Sequence, residues 1–136
     1  MTLAGLQVGL LHDHPDVLPT LTDWMYREWF RDLGFTRQGT HDEFCGRMRQ
    51  GALPLSLVAR VNGEWAGVAS LVAEERPLEP TLAPFLSGVL VAPHFRRQGI
   101  GLALCRRAIV VARSLHLASL CLFALEAEPL YQRLGW

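Results

Sequence analysis

The apolar pattern of the first 50 residues predicts a strand followed by two helices. Leu6 to Leu11 is a short apolar run typical of a strand, and the polar cluster His12 to Pro15 ends it. From Asp16 to Phe30 the large apolar residues fall mostly three or four positions apart, which is the spacing of one buried helical face. Thr40-His41-Asp42-Glu43 has the form of a capping box and predicts a second helix from His41 to about Gln50.

The remaining pattern predicts a mixed sheet. Leu55 to Val61 and Trp65 to Ala73 are β-rich runs, and Asn62-Gly63 between them is a strong hairpin signal. The later elements are a loop at 74–84, a strand from Phe85 to Val91, a helix from Ile100 to Leu115, a strand from Ser119 to Phe123 and a short helix from Glu128 to Leu134. This order matches neither a Rossmann alternation nor an all-β domain. We therefore expect an α+β (mixed α/β) fold, with a mainly antiparallel central sheet and helices on both faces.

Length and composition favour a single domain spanning residues 1–136. Half of the residues are hydrophobic, and thirteen basic residues offset thirteen acidic ones, so no nucleic-acid or anionic-membrane partner is expected. The apolar runs fall far short of the roughly 20 residues that span a bilayer, and the amino terminus lacks a secretory signal, which favours a cytoplasmic protein. The three cysteines are widely spaced without a C-x-x-C pair, so no metal site is expected.

The candidate chemistry lies where the strand ending at Val91 leads through a glycine turn into the long helix. The first amides of a helix have no internal partner and lie at the positive end of its dipole, so they can bind phosphate. Gly99 and Gly101 leave those amides accessible, and Arg96 and Arg97 add positive charge. The spacing excludes a P-loop and a Rossmann turn. A tight strand-to-helix turn with exposed arginines beside it is the alternative reading.

Two motifs resemble those of the GCN5-related N-acetyltransferase (GNAT) family. Arg96-x-x-Gly99-x-Gly101, preceded by Val91-Ala92-Pro93, matches the family's pyrophosphate-binding signature. About 30 residues later, Tyr131 is followed four positions on by Gly135 and Trp136, as in the family's later segment. A weaker resemblance, to the branch that includes the actin amino-terminal acetyltransferase, rests on the pair Glu28-Trp29 in the first helix, the strand from Leu53 to Ala59 and the ending from Tyr131 to Trp136.

The resemblance implies that acetyl-CoA is the cosubstrate and assigns residues to it. The backbone of the strand at Val89, Leu90 and Val91 would pair with the pantetheine arm. The turn would hold the pyrophosphate, through Arg96, Arg97, Gln98, Gly99, Ile100, Gly101 and Leu102. Tyr131 would act as the general acid that protonates the departing thiolate.

The resemblance does not assign the general base to one residue. Many relatives carry a glutamate on the strand before the turn, whereas residues 85–89 contain no carboxylate. A water held by Ser87, or a side chain such as Glu28, Glu74, Glu75 or His41, could take that role. The resemblance places an acceptor cleft along the first helix, at Trp24, Tyr26, Glu28 and Trp29.

The activity implied is transfer of an acetyl group to a primary amine, carried by a small amine, an antibiotic or a peptide amino terminus. The alternative is a non-catalytic acyl-CoA-binding module or regulatory protein. The family usually continues past the glycine-aromatic pair with two more strands, which are missing from this sequence after Trp136. We therefore expect Ser119 to Phe123 to be an edge strand that a homodimer covers, unless the natural protein is longer.

Overall fold

The centre of the fold is a twisted sheet of five strands in the order β1-β2-β3-β4-β5. The computed structural model describes residues 5–73, 84–117 and 121–122. The strands are β1 (Leu6–Leu10), β2 (Leu55–Val61), β3 (Glu64–Val72), β4 (Phe85–Val91) and β5 (Cys121–Leu122). The first four strands pair antiparallel, and β5 pairs parallel to β4. The expected fold class is confirmed.

The hairpin between β2 and β3 follows from its turn residues. Asn62 and Gly63 have φ angles of 49° and 86°, so both central residues adopt the left-handed conformation that a tight two-residue hairpin turn requires. The predicted Asn-Gly hairpin is confirmed, and it brings two apolar strands into the middle of the sheet.

Helices cover both faces of the sheet. Helix α3 (Ile100–Ser114) packs on one face through Ile100, Leu104, Cys105, Ala108 and Ala112, whose spacing of three to four residues forms one buried stripe. Helices α1 (Leu18–Met25) and α2 (Arg37–Cys45) lie on the other face. Leu21, Met25 and Phe44 pack there against Val58 and Val68 of the sheet.

The first predicted helix is present but not uniform. Its predicted span begins in a 3₁₀ turn at Pro15–Val17, continues as α1, and ends in a π-helical turn at Tyr26–Phe30. The amide of Arg31 donates to the carbonyl oxygen of Tyr26, five residues back, at 2.9 Å. Such a turn holds one residue more than an α-turn and is common at functional sites.

The predicted start of the second helix at His41 is wrong. The capping residue is Thr36, whose Oγ1 accepts a hydrogen bond from the amide of Gly39 at 2.9 Å, so α2 begins four residues earlier. Thr40 lies buried within the helix and its hydroxyl donates to the carbonyl oxygen of Thr36. Helix α2 also ends at Cys45 rather than near Gln50.

Two further findings concern only the described residues. No helix there has the length and hydropathy needed to cross a membrane. Within the same ranges, no group of three or more His, Cys, Asp or Glu residues is arranged to hold a metal ion. The predicted helix from Glu128 to Leu134 and most of the strand from Ser119 to Phe123 lie outside the described residues.

Candidate functional site

The glycine turn leads directly into the first amides of α3. Gly99 caps the helix with a φ angle of 83°, a left-handed conformation that disfavours any residue with a Cβ. The first helical hydrogen bond runs from the amide of Ala103 to the carbonyl oxygen of Gly99 at 3.0 Å. The amides of the preceding residues, Ile100 to Leu102, therefore have no partner within the helix and can bind an anion.

Arginine side chains flank this turn. The Nε of Arg96 donates to the carbonyl oxygen of Val91 at 3.0 Å, which joins the turn to the last residue of β4. Arg97 has a φ angle of 64°, an uncommon conformation for a residue with a side chain. Both arginines are exposed, so their charge is available to a phosphate at the helix start.

Strands β4 and β5 meet only at the beginning of β4 in the part of the chain that the structure describes. The paired residues are Phe85 with Cys121 and Leu86 with Leu122. On its other side β4 stays paired with β3 as far as Val91. Among residues 5–73, 84–117 and 121–122, none pairs with this edge of β4 from Ser87 to Val91, which we call the open edge, and an extended ligand could pair with it.

A bulge lies within this open stretch of β4. Ser70 is opposite Ser87 and Val68 is opposite Leu90, so β4 has one residue more than β3 between these pairs. Gly88 has a φ angle of 61°, which explains why a glycine occurs inside a strand. The bulge at Gly88 was not predicted, although an isolated glycine within a strand pattern is the usual signal of one.

Helix α1 packs directly against the bulge. A Cβ built on Gly88 would lie 3.2 Å from Cε of Met25, which is closer than nearly all real contacts of a Cβ. The end of α1 and its π-turn therefore lie beside the open part of β4. This arrangement brings the first helix, which carries the predicted acceptor residues, next to the predicted donor strand.

The four predicted acceptor-cleft residues have different surroundings. Trp24 is half-buried and packs against the hydrophobic clusters of both sheet faces, so it contributes to the core. Tyr26 lies beneath the guanidinium of Arg37, which is 4.6 Å from the ring centroid. Glu28 is exposed, and Trp29 is 37% exposed. Only Glu28 and Trp29 therefore offer largely free side chains.

An ion cluster connects α1 to the start of α2. Oδ1 of Asp23 accepts from Nη1 of Arg37 at 2.8 Å and from Nε of Arg27 at 3.0 Å. The hydrogen bond from Arg37 is the main reason that the pKa of the Asp23 carboxyl lies below its ordinary value. This cluster and the stacking of Arg37 on Tyr26 hold the π-turn between the two helices.

The remaining candidate residues lie on α2, on β4 or outside the described ranges. His41 lies on α2, where its ring is 3.7 Å from Sγ of Cys45 and 3.4 Å from Oδ1 of Asp42. Ser87 is half-buried on β4, directly before the bulge. Tyr131, Glu74 and Glu75 lie outside the described residues, so the role of Tyr131 stays a prediction.

Sequence comparison identifies the family. Residues 18–136 match the model of the Acetyltransferase (GNAT) family, which covers the glycine turn and the Tyr131 segment. The chain therefore belongs to this family. Among curated proteins, no significant relative was found.

Solved structures show the same fold. A GCN5-related N-acetyltransferase from Ralstonia eutropha JMP134 is 25% identical, with a TM-score of 0.68 and coverage of 97% of this chain and 92% of that one. The aminoglycoside antibiotic 6'-N-acetyltransferase AAC(6')-Ih from Acinetobacter baumannii is 20% identical, with a TM-score of 0.67 and coverage of 97% and 90%. A predicted acetyltransferase from Clostridium acetobutylicum, solved with acetyl-CoA, is 15% identical, with a TM-score of 0.68 and coverage of 96% and 89%. The last two likenesses concern the fold alone.

Proposed function

We propose that this chain is an acetyl-CoA-dependent N-acetyltransferase, in which a primary amine attacks the acetyl thioester directly. The observation that carries the proposal is the connection between the open edge of β4 and the glycine turn. Arg96 links the two through its hydrogen bond to Val91, so a strand edge for an extended arm leads into a helix start for a pyrophosphate. Coenzyme A has an extended pantetheine arm, which the strand edge would bind, and a pyrophosphate, which the helix start would bind.

The donor half uses main-chain groups. The amides of the turn, from Gln98 to Leu102, would bind the pyrophosphate. The space beside Gly99 is open, since a Cβ built there would meet no protein atom within 4 Å. The backbone from Val89 to Val91 would pair with the pantetheine arm and orient the thioester at the bulge. Tyr131 would give a proton to the thiolate as it leaves.

The acceptor half lies along α1 and its π-turn. Glu28 and Trp29 are exposed on the π-turn that follows Met25 and would contact the amine-bearing molecule. The neighbour from Acinetobacter baumannii is an aminoglycoside acetyltransferase, which supports an antibiotic as one acceptor class. The resemblance to the actin amino-terminal branch supports a peptide amino terminus as another.

Two measurements, made one after the other, test the proposed function. Calorimetric titration with acetyl-CoA should show one site, and absence of binding would refute it. Thiol release is then followed with phenethylamine, kanamycin and a short lysine-free peptide with a free amino terminus. Tyr131→Phe should lower the rate about 10²- to 10⁴-fold if the hydroxyl is the acid. Binding without turnover on an extended amine panel would favour the acyl-CoA-binding module instead.

The absence of lysine from the chain simplifies an assay of lysine acetylation. The chain contains no lysine, because all thirteen of its basic residues are arginine. Acetyl-lysine detected by mass spectrometry in a mixture with protein acceptors therefore comes from the acceptor and not from self-modification. The predicted homodimer can be checked on the same sample by light scattering, where a monomer at high concentration would contradict it.

A further inference from the structure

Three serine side chains form one row across the sheet, on the face covered by α1 and α2. Ser56 lies opposite Ser70 in the β2–β3 pair, and Ser70 lies opposite Ser87 in the β3–β4 pair. Leu57 and Leu86, which neighbour the outer serines, pack on the opposite face beneath α3. Because side chains alternate along a strand, the three serines share the face that contains α1.

Two serines of the row are buried in an otherwise apolar core. Ser56 and Ser70 are both 0% exposed, and their Oγ atoms are 2.7 Å apart. A buried hydroxyl is costly unless it is hydrogen-bonded. A hydroxyl oxygen has two lone pairs, so after the hydrogen bond between the two serines Oγ of Ser70 can still accept a further hydrogen bond.

Ser87 is the natural next member of this row. Opposite residues of an antiparallel pair have Cβ atoms about 4.5–5.5 Å apart, which brings two serine hydroxyls within hydrogen-bond reach by rotation about χ1. Within the described residues, the Ser56–Ser70 bond is the one hydrogen bond formed between members of the row. Ser87 is half-buried and precedes Gly88, so its hydroxyl lies where the row reaches the open stretch of β4.

We propose that Ser70 is a positioning residue for acetyl transfer, an inference that rests on the proposed function. For the reaction, Ser87 would rotate about χ1 and donate a hydrogen bond to Oγ of Ser70, which Ser56 contacts from the other side. The lone pairs of Ser87 are then directed at the attacking amine or at the water that takes its proton. Strand β4 has no carboxylate before the bulge. The proposal gives Ser87 and the serines behind it the task of orienting the amine or the water at this position.

The three serines orient the attacking amine or its water, and they do not take part in proton transfer. In the reaction the amine nitrogen forms a bond to the acetyl carbon, and the bond from that carbon to sulfur breaks. The amine proton leaves to solvent water, and the thiolate takes a proton from its acid or from solvent. A serine hydroxyl is too weak a base to keep a proton, so loss of the row should lower turnover without moving the pKa of the pH–rate profile.

The experiment compares Ser70→Ala with Ser56→Ala. Both variants lose the same buried hydrogen bond, but only Ser70→Ala removes the partner of Ser87. Thiol release is measured at saturating acetyl-CoA with whichever of phenethylamine, kanamycin or the free peptide the wild type acetylates fastest. We expect kcat to fall about three- to tenfold in Ser70→Ala and by less than about twofold in Ser56→Ala.

A third variant separates positioning from packing. Ser70→Cys keeps nearly the same side-chain volume but has a much weaker hydrogen-bonding group, so its kcat should resemble that of Ser70→Ala. Acetyl-CoA affinity should stay within about twofold in all three variants, because the row does not contact the glycine turn.

The outcomes distinguish this inference from the proposed function. Equal kcat losses in Ser70→Ala and Ser56→Ala, or a normal kcat in Ser70→Cys, would show a structural role and overturn the inference alone. A displaced pKa in the pH–rate profile of Ser70→Ala would also overturn it. Absence of turnover in the wild type with every acceptor would overturn both proposals.

Discussion

Arg96 and Val91 are joined by a hydrogen bond from Nε of the arginine to the carbonyl oxygen of the valine, 3.0 Å long. This bond fixes the position of the glycine turn relative to the open edge of β4. It occupies one nitrogen of the guanidinium, and the two terminal nitrogens, on an exposed side chain that makes no other hydrogen bond to the described residues, can bind phosphate oxygens.

Replacing Arg96 should therefore weaken the binding of acetyl-CoA in two ways. Arg96→Met keeps the length of the side chain but removes its charge and the link to Val91, and we expect acetyl-CoA affinity to fall about tenfold. Calorimetry at low and high salt measures the effect, and the difference from wild type should narrow as salt screens the lost charge. The matched control is Arg106→Met, an exposed position further along α3. An equal loss in the control would refute a specific role for Arg96.

Gly99 allows backbone strain to be separated from ligand contact. A Cβ at this position meets no protein atom within 4 Å, so Gly99→Ala should cost about 1–2 kcal/mol through its left-handed conformation alone. Gly34→Ala is the matched control, because Gly34 has a φ angle of 92° and equally open surroundings. Urea unfolding should give similar losses for both, while only Gly99→Ala weakens acetyl-CoA binding. Unchanged affinity would contradict the assigned pyrophosphate site.

The bulge in β4 should tolerate no side chain at Gly88. Gly88→Ala combines a left-handed φ angle of 61° with a contact of 3.2 Å to Cε of Met25, and we expect it to cost about 2–3 kcal/mol in the free energy of unfolding. In the background of Met25→Ala the cost should be smaller, because the contact is then absent and only the strain is left. A double-mutant cycle measures this coupling. Identical costs in both backgrounds would show that Met25 does not restrict the bulge.

The cysteines on the helices should differ in reactivity and in their effect on alkaline stability. Burial raises the pKa of the Cys105 thiol from 9.0 to about 12, whereas Cys45 is exposed. Iodoacetamide at neutral pH should therefore modify Cys45 and leave Cys105 protected until the protein unfolds. Peptide mapping of the alkylated protein checks this. Rapid modification of Cys105 in the folded protein would contradict the burial.

The same raised pKa has a consequence for stability above pH 9. The unfolded chain loses the Cys105 proton near pH 9 and the folded chain near pH 12, so the stabilising contribution is complete below pH 9 and is lost as the pH rises towards 12. Cys105→Ala should flatten this alkaline decline, which urea unfolding at several pH values would detect.

The sequence predicted the parts of this fold that local rules determine. The Asn62-Gly63 hairpin, strand β4 and helix α3 were correct because turn chemistry and apolar spacing agree at each of them. The helix start at His41 was wrong because Thr36 and Thr40 can both cap, and only packing selects Thr36 while Thr40 becomes buried. Sequence spacing also did not distinguish the π-turn from an ordinary helix end.

The candidate site was predictable where it depends on the main chain. The glycine turn could be recognised because its conformation requires glycine at position 99. The bulge and the serine row were not predicted, because both depend on the register between strands that are distant in sequence. The contact of Met25 with the bulge likewise arises only when α1 packs on the sheet.

The single-residue bulge in β4 also decides which side chains reach which side of the molecule. Regular alternation from Leu86 would turn Val89 towards α1, whereas with the bulge Val89 packs beneath α3 and Leu90 faces α1. Deleting Gly88 would leave one residue on each strand between the Ser70–Ser87 and Val68–Leu90 pairs, so every later residue of β4 would keep its face and only the bulge would be lost. The extra residue therefore changes the path of the backbone beside α1 and leaves the order of the side chains that line the cleft as it is.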